Sequence, residues 1–117
     1  MSAADPESGW DYAAQKADTV HTLEVLAKEG VPEGAPIRLD LQFVPGEGAD
    51  APAFLRALGS FGYAAEGSLD GAEIEASVDA SLTLDEIWLH EERTTKIALA
   101  RGYVPDGWGF WEPDEEG

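Results

Sequence analysis

Apolar residues recur along this chain with two different periods, and the changes of period mark out its elements. From Trp10 to Glu29 there is neither glycine nor proline, and Ala13, Ala17, Val20, Leu23 and Ala27 return at steps of three and four, with Leu26 beside them. That spacing predicts an amphipathic helix. Ser8 and Asp11 are candidate caps at its start, and Gly30 followed by Pro32 stops it. After the connector GVPEGAP the period drops to two. Ile37, Leu39, Leu41 and Phe43 alternate with Arg38, Asp40 and Gln42, which predicts a strand with one buried and one wet face.

The second half repeats the sequence of a helix followed by strands. Asp50 caps a short helix with Phe54, Leu55, Leu58 and Phe61 on its apolar side, and Pro52 is tolerated in the first turn. Tyr63 to Leu69 reads as a weak second strand, and Asp70-Gly71 as a two-residue hairpin turn. In EIEASVD, Ile74, Ala76 and Val78 face inward, while Glu73, Glu75, Ser77 and Asp79 face outward. Thr83 with Glu86 forms a capping box for a helix running to about Arg101, with Leu84, Ile87, Trp88, Leu89, Ile97, Ala98 and Ala100 as its apolar residues. Gly102 ends it, Pro105-Asp106-Gly107 reads as a turn, and WGFW as a last short strand.

Without the leading helix the order is strand, helix, strand, strand, helix, strand. The expectation is an α+β fold, a ferredoxin-like βαββαβ sandwich with four antiparallel strands and two helices on one face. The extra N-terminal helix then docks at a sheet edge. The 117 residues allow one core, divided here as a loose N-terminus over 1–9, a single domain over 10–112 and an acidic tail over 113–117. In the last strand, Trp108 and Phe110 share the covered face, and Trp111 shares the open face with Gly109.

Charge changes this picture more than composition does. Apolar residues make up 44% of the chain, an ordinary share, but 24 acidic residues face seven basic ones, a formal charge of −17. Such a surface repels nucleic-acid phosphate and anionic lipid and attracts cations. No apolar run approaches the ~20 residues of a membrane span, the first residues lack the features of a signal peptide, and there is no cysteine, so the expected location is the cytoplasm. The outward residues of the first and third strands put Asp40, Glu73, Glu75 and Asp79 on the uncovered face, where an arginine-bearing partner relieves the repulsion among like charges.

The same scan offers little for catalysis. No cysteine nucleophile exists, the serines lack a G-x-S-x-G setting, GEGADAPAF lacks a phosphate loop's lysine, and DGAEIEASVD does not fit the calcium loop. His90 with Glu86 and Glu91 offers at best a weak metal set. The expectation is a protein that is not an enzyme and needs no cofactor or metal. Acids replace the aromatic and basic open face of RNA-binding sheets.

The segment GYVPDGWGFW, with Asp106, Gly107, Trp108 and Gly109 directly after a glycine-ended helix, resembles the C-terminal signature of the regulator of ribonuclease E activity B (RraB) family. DTVHTLEVLAKEG, APIRLDLQFVP and APAFLRALGSFGY look like that family's leading helix, first strand and second helix, so the likeness runs over about residues 10–111. The chain departs from it with Pro105 where the family has tyrosine and Tyr103 where it has glycine, and Trp111 and the tail look like local additions. The resemblance implies a bacterial, small, acidic, ferredoxin-like protein that inhibits or modulates ribonuclease E by protein–protein contact, the target region being disordered and arginine-rich. Asp40, Glu73, Glu75 and Asp79 are then the partner-binding residues, with Trp111 as an aromatic anchor. The partner is ribonuclease E or another arginine-rich protein, with no direct nucleic-acid or membrane contact, and the chain is a monomer or weak homodimer. The alternative is a small-molecule binding or sensing domain with a pocket near Trp88, Trp108 and Phe110.

Overall fold

The computed structural model describes residues 9–68 and 70–112. The elements run α1 (Tyr12–Lys28), β1 (Pro36–Pro45), α2 (Ala51–Ser60), β2 (Ala64–Gly67), β3 (Ile74–Ser81), α3 (Leu84–Leu99) and β4 (Tyr103–Trp111). The four strands form one antiparallel sheet in the order β2-β3-β1-β4. This mixed architecture of one antiparallel sheet and three helices is compatible with an α+β, ferredoxin-like fold. The expected Ser8 cap and the acidic tail over 113–117 lie outside the described residues, as does Leu69 at the end of the expected second strand.

The alternation in β1 decides where the core lies. Ile37, Leu39, Leu41 and Phe43 are buried with Ile74 and Ala76 of β3, beneath Phe54 and Leu58 of α2 and Ile87 and Ala98 of α3. Arg38, Asp40 and Gln42 emerge on the opposite face, which no described element covers. Tyr103 stacks on Phe54 at 5.0 Å, and Phe54 meets Phe43 edge-on at 5.1 Å. The Tyr103 hydroxyl donates to the Gly71 carbonyl, so this aromatic group also ties down the β2–β3 connection.

Three local expectations need correction. Asp70-Gly71 is not a two-residue turn. The connection spans more chain: the Ser68 N–H reaches the Glu73 carbonyl, and the Asp70 carboxylate accepts from the Ala72 N–H and the Ser68 hydroxyl. Thr83 caps α3 by accepting from the Glu86 N–H, but Glu86 reaches back to the Ser81 N–H, not to Thr83. Pro105-Asp106-Gly107 is no turn but a β-bulge inside β4. Gln42 pairs with Gly107 and Phe43 with Pro105, leaving Asp106 as the extra residue. An edge strand tolerates both the proline and the bulge because no described strand pairs with its outer side.

The leading helix also turns a different side inward than its apolar spacing suggested. Ala13, Ala17 and Ala27 are exposed, while Gln15, Thr19, Val20, Leu23 and Leu26 face the body of the protein. It packs beside α3 in the helical layer, with Thr19 accepting from the Trp108 indole of β4, and not along a sheet edge as the sequence suggested. Asp11 is its cap, accepting from the Ala14 N–H.

Two glycines in the last connection carry different constraints. Gly102 has φ +83, and a Cβ there would meet the backbone of Gly48 and Ala49 at 2.5 Å. Gly107, in the bulge, has φ +126 and open space around it. Gly102→Ala therefore adds steric conflict to strain and is expected to lower unfolding free energy by on the order of 3 kcal/mol. Gly107→Val meets strain alone, with an expected loss of about 1–2 kcal/mol, and Gly109→Ala, where φ is not positive, stays within roughly 0.5 kcal/mol of wild type. Urea denaturation of the three variants checks this ranking.

Candidate functional site

The uncovered sheet face carries the residues singled out from the sequence, arranged in rows across the strands. Arg38 lies between Asp79 and Trp111, Asp40 between Ser77 and Gly109, and Gln42 between Glu75 and Gly107. Glu66 of β2 continues the last row beyond Glu75. Rows two residues apart are separated by roughly 7 Å, so Trp111 stands at one end of the sheet and Glu75 at the other. Trp111 is 40% exposed on the open face, and Trp108 and Phe110 pack toward the core, as the alternation implied. Trp111 is not part of the carboxylate patch, however. Its neighbour across the sheet is the one cation of this face.

The carboxylates differ in their partners. Asp79 forms an ion pair with Arg38 at 3.1 Å, an exposed contact with Asp79 88% accessible and so of small energetic weight. Asp40 accepts from the Ser77 hydroxyl at 2.7 Å, and Gln42 donates weakly to Glu75 at 3.5 Å. At the Glu75 end, a depression of about 380 Å³ is ringed by Glu66, Glu73, Glu75 and Asp106 without any basic residue. Thus the bulge brings Asp106 into the acidic group, where the sequence suggested only a structural part for it.

The distribution of cations sharpens the contrast between the faces. Of the seven basic residues, Arg38 alone is on the sheet face. Lys16 and Lys28 belong to α1, Arg56 to α2, Arg93 and Lys96 to α3, and Arg101 follows α3. Acids occur on the helical layer as well, but there they are interspersed with these cations. The open face is close to purely anionic.

A second site lies where α1 meets α3 and β4. Glu91 is only 5% exposed and accepts a hydrogen bond from the Thr19 hydroxyl, which in turn accepts from the Trp108 indole N–H at 3.2 Å. Beside it the Trp10 indole donates to Gln15, whose amide donates to Thr95. These groups border a cavity of about 460 Å³ that also reaches Leu41, Phe43 and the bulge residues 105–107. Of the pocket residues expected for a small-molecule domain, Trp108 lines it and Trp88 and Phe110 do not. The candidate metal set is not assembled: His90 meets the Tyr63 hydroxyl through Nδ1, Glu91 meets Thr19, and Glu86 meets the Ser81 backbone.

Sequence reasoning missed this seam because it followed the alanines of α1. The signal present was polar: Gln15, Thr19 and Thr22 recur at helical spacing, matched by the neighbouring Thr94-Thr95 on α3.

Burial pushes the Glu91 carboxyl up to about 7, against the opposing pull of the Thr19 hydrogen bond. A carboxyl raised on folding stabilises the fold below its unfolded value, near 4.5, and that contribution is lost as pH rises through about 7. The melting temperature of wild type relative to Glu91→Gln is thus expected to fall between about pH 5 and pH 8. Thermal unfolding of both proteins across that range isolates Glu91 from the general relief of charge repulsion that other carboxylates share. Comparison with known proteins finds no family model that matches this chain and no match among curated proteins.

Proposed function

We propose that this chain is a non-enzymatic regulatory protein that docks an arginine-rich segment of a ribonuclease E-type enzyme on its open sheet face, and thereby modulates RNA degradation in the cytoplasm. On this reading the fold is a ferredoxin-like βαββαβ core preceded by α1. The observation that carries the proposal is the depression ringed by Glu66, Glu73, Glu75 and Asp106, free of basic residues, on a face no described element covers. Guanidinium groups forming charge-assisted hydrogen bonds to these carboxylates supply both steering and affinity. The resemblance of the Asp106–Gly109 segment to the RraB family supplies the identity of the target. A specific observation also favours a second reading, a small-molecule binding domain: the cavity beside Glu91 has a volume within the usual range of ligand pockets.

The test is binding of purified ribonuclease E, and of its arginine-rich segment as a labelled peptide, at two salt concentrations. The expected result is binding at low salt that weakens about tenfold or more in Glu66→Lys/Glu75→Lys. Asp85→Lys on α3 makes the same charge change per residue away from the face and is expected to have a clearly smaller effect. No binding at low salt, or equal losses from the two faces after allowing for charge, overturns the proposal.

A further inference from the structure

We propose that the cavity beneath α1 is a binding site for a small organic cation, an alkylammonium whose charge is met by Glu91 and whose hydrocarbon part lies against Trp10 and Trp108. This site shares no carboxylate with the docking face except Asp106 at its rim; it rests on the small-molecule reading of this cavity and not on the docking reading.

Four observations converge on this ligand class. The cavity, about 460 Å³, is bordered by the indoles of Trp10 and Trp108 and touches the edge of the core at Leu41 and Phe43, so it offers aromatic surface. Among the described residues its only ionisable lining groups are carboxyls, Glu91 on α3, Asp18 on α1 and Asp106 on β4, with no lysine, arginine or histidine. Anionic ligands are therefore repelled, and a cation beside tryptophan gains attraction from the ring. Both indoles are held in place through their N–H groups, Trp10 by Gln15 and Trp108 by Thr19, so the aromatic walls are set before a ligand arrives.

The fourth observation concerns Glu91 itself. Although it is more than nine-tenths buried, only one of its carboxylate oxygens has a hydrogen-bond partner among the described residues, the Thr19 hydroxyl. No described polar side-chain atom is both fully buried and unpartnered. Among the described residues nothing but Thr19 hydrogen-bonds the Glu91 carboxyl, and Glu91 lines this cavity. A buried carboxylate lining an aromatic-walled space is suited to accept from an ammonium N–H. Of the other polar groups lining the cavity, Asp18 of α1 acts on Glu91 as a like charge, Asp106 of β4 and Gln42 of β1 share the lining, and His90 next to it on α3 turns to Tyr63.

The experiment titrates the full chain with butylammonium, using butyrate and butanol as probes of opposite and zero charge, at physiological ionic strength. Tryptophan fluorescence and calorimetry are the readouts. Butylammonium is expected to saturate a single class of sites, more tightly at about pH 8 than at about pH 6 as Glu91 ionises, and to outcompete both other probes. Glu91→Gln keeps the shape and the Thr19 contact and is expected to weaken binding about tenfold. Trp10→Ala, outside α1, is expected to weaken it about threefold, while Asp85→Asn at the start of α3, outside both sites, changes it less than about twofold. Circular dichroism verifies the fold of each variant. No saturation below roughly 10 mM, equal binding of the three probes, or an affinity insensitive to Glu91→Gln overturns the proposal.

Discussion

A sheet with helices on one side only forces each residue of its central strand into one of two environments. In β1 this constraint is absolute: Ile37, Leu39, Leu41 and Phe43 are nearly inaccessible, and the residues between them have no apolar layer to enter. A slip of one residue would bury Arg38, Asp40 and Gln42 and expose the core, at a cost no other contact offsets. The partners of β1 inherit this phase through their pairing. It places Glu75, Ser77 and Asp79 of β3 and Gly107, Gly109 and Trp111 of β4 on the open side. The anionic face is thus a by-product of core formation, and its composition is free to serve binding because it contributes little to stability.

The docking of α1 follows a different logic. Its inward side is part apolar, through Leu23 and Leu26 against the core, and part polar, through Gln15 and Thr19 against Thr95 and Glu91. Burying a carboxyl is unfavourable unless it is hydrogen-bonded or protonated, and Glu91 is positioned for both. Apolar residues of similar volume would hold the helix at least as strongly. What the polar seam adds is a defined geometry and an open space beside it, in the same region as the bulge that shapes the docking face.

The elements with strong periodicity were legible in the sequence. The β1 alternation, the Asp50 and Thr83 caps, and the division of Trp108 and Phe110 from Trp111 all follow from local rules. What was not legible depends on the order of strands. Asp106 joins Glu66, Glu73 and Glu75 only because β4 and β3 flank β1 and the bulge falls opposite Phe43. Likewise Trp111 stands beside Arg38 because of the antiparallel register, which no property of residue 111 reveals. In α1, alanines spaced like a core stripe misled because alanine gains little from burial, and the hydrogen-bonding needs of Thr19 and Gln15 decided the helix's rotation.

The bulge has one more consequence. Tyr103 and Trp108 are five positions apart, an odd interval, yet both turn toward the core. Asp106 absorbs the odd count, acting as a phase shifter between the two halves of β4. A chain lacking that residue would keep both aromatics indoors and simply straighten the strand. The strand's length can therefore change by one residue at this place without turning the protein's last strand over.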